Sequence, residues 1–63
     1  MKDPIIINFK DLDTADKATV IVRYDDSSVV LGLSLNANGD LQVVMNKEDA
    51  TKIILALQKA TER

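Results

Sequence analysis

The run Val29-Val30-Leu31-Gly32-Leu33-Ser34-Leu35 carries a large apolar residue at every odd position, with Val, Gly and Ser in between. Successive side chains of a strand point to opposite faces, so this alternation reads as a strand with one face in a core. The rest of the chain can be placed by pairing against it.

Upstream, Ala18 to Tyr24 is a second alternating segment. Val20, Val22 and Tyr24 share one face; Thr19, Ile21 and Arg23 share the other. A tight turn at Asp26-Ser27 sets Tyr24 opposite Val29, Val22 opposite Leu31 and Val20 opposite Leu33, which gathers the large apolar residues on one face. Downstream, Asn36-Ala37-Asn38-Gly39-Asp40 is the strongest turn signal in the chain. A turn at Asn38-Gly39 would set Leu35 opposite Gln42 and put polar groups on the core face. A type I turn over Asn36 to Gly39, with Gly39 left-handed in a bulge, sets Leu35 opposite Leu41, Leu33 opposite Val43 and Leu31 opposite Met45. A one-residue slip inverts every side chain, so the bulged turn is expected.

Pro4 to Phe9 is the first strand, with three consecutive isoleucines and a proline suited to an edge. Lys10 to Lys17 is a polar connection in which Asp13 or Thr14 is expected to cap a helical turn. Asp11, Asp13 and Asp16 lack the glycine of a calcium loop, and Val22 stands at its twelfth place. The segment reads as a solvated acidic loop.

Leu41 to Met45 is the last strand, and a helix begins almost at once behind it. Asn46 is a good N-cap, Asp49 occupies the capping-box position, and Glu48 stands four residues before Lys52. Ala50, Ile53, Ile54, Leu57 and Thr61 form one stripe. About fifteen residues at 1.5 Å rise span about 22 Å, which matches the length of a strand. The expected fold class is α+β: an antiparallel β-meander of three or four strands with one C-terminal helix packed on one face, ββββα, as a single small domain over residues 1–63.

A domain of 63 residues buries only about 60% of its unfolded surface and generally needs help from disulfides, a metal or oligomerisation. The chain has no Cys and no His, which removes disulfides, thiolate zinc sites and the commonest general base. Neither of its two glycines, Gly32 and Gly39, belongs to a phosphate loop, and its adjacent carboxylates (Asp25-Asp26, Glu48-Asp49) sit where turns and helix starts use them. No catalytic, cofactor-binding or metal-ligating residue is expected, and the chain is not expected to be an enzyme. A net charge of −2 gives no basic footprint for duplex nucleic acid. No apolar run approaches the about 18–20 residues of a membrane span. Met1-Lys2-Asp3-Pro4 has neither the basic nor the apolar region of a signal peptide, and a cytoplasmic location is expected.

One helix cannot cover both faces of a sheet. On the other face, Ile21, Gly32 and Val44 are expected in one cross-strand row, with Val30 in the next beside Arg23 and Asn46. Glycine inside a strand can mark the close approach of another backbone. Leu55 lies away from the helix stripe, among Glu48, Lys52, Lys59 and Glu62. Ile21, Val30, Gly32, Val44 and Leu55 are therefore the expected interface residues. The expected function is a non-enzymatic protein-interaction module: a homodimer acting as a small accessory or inhibitor protein of bacterial, phage or mobile-element type.

A meander followed by one helix, dimerised, is also similar in outline to the positive-cofactor-like transcriptional coactivators. That resemblance is of architecture and implies single-stranded nucleic-acid binding. Lys10, Lys17 and Arg23 are the candidate residues for it, without the stacking aromatics such sites use.

Overall fold

The structure is a computed structural model that describes residues 3–37 and 39–62. Four strands form one antiparallel sheet in chain order: β1 (Ile5–Lys10), β2 (Lys17–Tyr24), β3 (Ser28–Leu35) and β4 (Gly39–Asn46). Helix α1 (Lys47–Thr61) follows. The α+β class and the ββββα order are as expected, and β1 takes the edge beside β2.

The turns hold the register. Asp25 N–H donates to the Ser28 carbonyl, so Asp26-Ser27 is the tight hairpin loop, and Tyr24 faces Val29. The Asp25 carboxylate accepts from the N–H groups of Ser27 and Ser28 at 2.9 and 2.8 Å and from the Ser28 hydroxyl at 3.0 Å. These bonds favour its charged form and hold its carboxyl below the usual range, the Ser27 N–H first. In the first connection the cap is Asp11, not Asp13 or Thr14: its carboxylate accepts from the Thr14 hydroxyl at 2.6 Å and the Thr14 N–H at 2.9 Å. The hydroxyl bond is the main cause that lowers the Asp11 pKa. Ala15 closes this loop with φ +63°, a left-handed backbone that costs an L-residue about 1–2 kcal/mol. Asp16 then ties two loops together by accepting from Ala37 N–H at 2.8 Å.

The third turn departs from expectation. Gly39 is left-handed, with φ +86°, but Leu35 faces Gly39 itself, Leu33 faces Leu41, Leu31 faces Val43 and Val29 faces Met45. The pairing is offset by two residues from the expected one, so every face is kept and every row changes. Asn38 of this turn lies outside the described residues. Gly39 joins the ladder directly, which lengthens β4 at its start.

Helix α1 starts with no residue between it and β4. Asn46, the last residue of the strand, is also the N-cap, and its side chain accepts from Asp49 N–H at 2.8 Å. Glu48 and Asp49 sit in the first turn, as the helix dipole favours. Lys52 pairs with Asp49 at 3.5 Å rather than with Glu48; both groups are exposed, so the pair contributes little. Lys47 Nζ lies 5.8 Å from the centre of the Tyr24 ring, within cation–π range.

The helix covers the sheet only in part. α1 approaches the backbone of β3 and β4 and not that of β1 or β2. No residue of α1 is buried, and Leu57 is 62% exposed. The molecule measures 35 × 32 × 16 Å, against about 26 by 15 Å for four eight-residue strands side by side. Much of the helix therefore adds to the breadth of the molecule. The radius of gyration is 12.9 Å, where a compact chain of this length has about 10.6 Å.

Two outcomes follow from the loops. Ala15→Gly relieves a left-handed backbone and should raise unfolding stability by about 1 kcal/mol, while Gly39→Ala imposes one and should lower it by about 1 kcal/mol, both read from urea midpoints. Asp25→Ala should lower the Tm at pH 7. A carboxyl whose folded pKa is lowered contributes above its unfolded value of about 3.9 and loses that contribution as pH falls through the folded value. The Tm gap between Asp25→Ala and wild type should accordingly narrow as pH falls below that unfolded value; a gap unchanged at about pH 2 contradicts the assignment.

Candidate functional site

The sheet has two unlike faces. On the mixed face, the structure brings Ile21 beside Ile6 and Gly32, and Gln42, not Val44, completes that row. Val44 stands in the next row with Val30 and Arg23. Ile21, Val30 and Gly32 are half-buried within the sheet, whereas Val44 is 63% exposed. Leu55 is exposed on α1 and belongs to neither row. A shallow groove here is lined by Ile21, Arg23, Gly32, Ser34, Asp40 and Gln42.

Gly32 is not demanded by its own fold. A Cβ there would lie 3.6 Å from the Ile21 carbonyl oxygen and 3.7 Å from Ile21 Cβ, which is ordinary contact. Glycine inside a strand costs about 0.5–1 kcal/mol relative to alanine. A strand that has room for the methyl group and still lacks it leaves bare backbone facing outward, open to close approach.

The three basic candidates share this face but not one patch. Lys10 stands directly opposite Lys17 at one end of the sheet. Arg23 lies six residues further along β2, about 20 Å away. Between them the Thr19 hydroxyl donates to Asn8 Oδ1 at 2.9 Å, and Asp40 shares a row with Ser34 and Thr19.

The other face is apolar almost throughout. From β1 it carries Ile5, Ile7 and Phe9; from β2, Ala18, Val20, Val22 and Tyr24. From β3 and β4 come Val29, Leu31, Leu33 and Leu35 opposite Met45, Val43, Leu41 and Gly39. Only Ala18 is buried among the described residues, at 6% exposure. Phe9 is 51% and Leu41 61% exposed. At the end of this face far from the start of α1, Phe9, Ala18, Val20, Leu33, Leu35 and Leu41 line a concave trough of about 380 Å³. Leu12, at the tip of the neighbouring loop, is fully exposed.

The accessible surface is 5258 Å². A folded monomer of 6.9 kDa is expected to show about 4,000 Å². The surplus is about 1,250 Å², and its visible source is the apolar face together with the stripe of α1. This surface is the part of the site that pattern reading assigned to an internal core. A sequence signal bears on it: the Asn46 cap follows the last strand directly, with no connection between β4 and α1.

Chemically, the described residues place no three metal-ligating side chains together. The perturbed carboxyls, Asp11 and Asp25, are both explained by turn hydrogen bonds. What the arrangement offers is surface: an apolar face to be buried, and a mixed face with a bare glycine at its centre.

Gly32→Ala should leave the stability of the fold unchanged or raise it by up to about 1 kcal/mol, since the methyl group meets only ordinary contacts. A loss above 1 kcal/mol in a urea titration would mean that the glycine serves the sheet itself. Compared with protein-family models, curated proteins and solved structures, the chain matches none of them.

Proposed function

We propose that this chain is a non-enzymatic protein-interaction module that works as a homodimer, a small accessory protein that occludes the surface of a partner. The observation that carries the reading is the unburied apolar face. A surplus of about 1,250 Å² on each of two chains amounts to about 2,500 Å², which falls in the range of obligate homodimers. A two-sided plate can then divide its work. The apolar face joins the two copies, and the mixed face around Gly32 meets the partner.

This division relocates the dimer contact from the face of Ile21, Val30, Gly32 and Val44, where hydrophobic rows alone would put it, to the face of Phe9, Leu33 and Leu41. The first group keeps its place as a partner-facing surface. Single-stranded nucleic-acid binding remains the second reading, and the directly opposed Lys10 and Lys17 favour it, because like charges face to face are relieved by an anion. The distance to Arg23 and the presence of Asp40 on the same face weigh against it.

Light scattering on the wild-type chain should give twice the 6.9 kDa monomer mass. Leu41→Glu on the apolar face should yield a monomer or an unfolded chain, and Val44→Glu on the mixed face should keep the dimer. Wild-type protein that stays monomeric and folded at high micromolar concentration would end the reading. Salt-dependent binding of a labelled oligonucleotide at about 50 mM salt would move the assignment to the second reading.

A further inference from the structure

We infer that the trough on the apolar face receives helix α1 of a second copy, reciprocally, so that each chain completes the core of the other. The inference rests on the homodimer reading and specifies how the dimer is built.

Two apolar surfaces of this chain need cover: the trough at Phe9, Val20, Leu33 and Leu41, and the stripe of α1, where Ile54 and Leu57 are open. They complement each other in shape, a concave face and a rod. No described residue of α1 lines the trough. α1 begins on the last residue of β4, at the Val29–Met45 end of the sheet, whereas the trough lies at the Leu35–Gly39 end. Strand-to-helix connections commonly run about two to six residues, and here there is none. The helix backbone stays near that of β3 and β4, and Lys47 in its first turn reaches the Tyr24 ring of β2.

A second copy related by a two-fold axis resolves both exposures with one contact type, because each helix lies on the other sheet. About fifteen residues at 1.5 Å rise give the helix about 22 Å, enough to run along most of an eight-residue strand of about 26 Å. A symmetric pair buries the surplus of both chains together. Sheet-on-sheet stacking would leave both helix stripes uncovered, and helix-on-helix pairing would leave both troughs empty. Exchange of helices leaves neither. Leu55, away from the stripe, remains outside this contact and adds to the outer surface.

The native chain has no cysteine, which permits a direct test. Leu57→Cys and Leu33→Cys variants, one carrying an affinity tag, are unfolded together, refolded and oxidised. The same mixture is made with Leu41→Cys as a second trough position, in case one variant folds poorly. The expected result is a dimer mass for the unoxidised protein by light scattering, with the mixed disulfide exceeding either self-pair by at least fivefold. A dimer mass with Leu57 self-pairs predominant would overturn the exchange in favour of helix-on-helix contact. A dimer mass with Leu33 or Leu41 self-pairs predominant would overturn it in favour of stacked sheets. A dimer mass with no disulfide from either mixture would also overturn it. A monomer mass for wild type would instead remove the homodimer reading on which the exchange depends.

Discussion

The junction at Asn46 governs the rest of this structure. One residue ends β4 and caps α1, so the direction of the helix is set by the last strand and one cap rather than by a loop. Helix and sheet each have an apolar side, and in a chain with a few more residues at this point the two would close on each other. Here they close only in part, and apolar surface of both remains exposed. The breadth of the molecule, its single buried residue among those described and its surplus area are three expressions of that one constraint.

The local organisation is consistent with this economy of connections. Asp25 satisfies the N–H groups of its own turn, Asp11 caps the first connection, and Asp16 reaches across to Ala37, so the loops at each end are held by short carboxylate bonds. The turns thereby hold the strand register. The sheet's hydrogen bonds and turn chemistry supply order, while little of its apolar surface is buried within the chain. Oligomerisation is one of the few remedies open to a domain of this size that has no cysteine.

Much of the fold is legible in the residues. The alternation of Val29 to Leu35, the tight turn at Asp26-Ser27, the left-handed Gly39, the Asn46 cap and the helix length all follow from pattern and turn chemistry. The register between β3 and β4 is less so. An offset of two residues preserves the period of the pleat, so hydrophobic patterning cannot distinguish Leu35 facing Leu41 from Leu35 facing Gly39. That is why Gln42, rather than Val44, stands beside Gly32. The extent of the helix's cover is not legible either: the length and stripe of α1 fit the whole sheet, whereas its backbone approaches only β3 and β4. The mixed face around Gly32 was found from the even positions alone, whereas the apolar face was hidden by the assumption that a chain buries its own core.

The strand order has a kinetic side. In a meander each strand pairs with its immediate neighbour in sequence, so contacts within the sheet are of low contact order and ladder formation requires only short loop closures. A sheet of this kind assembles quickly and locally. Where its apolar face is completed by a second chain, the slow step becomes an encounter between molecules, and the time to reach the native state scales with protein concentration. For the proposed homodimer, dilution would act as a denaturant does on a self-contained domain.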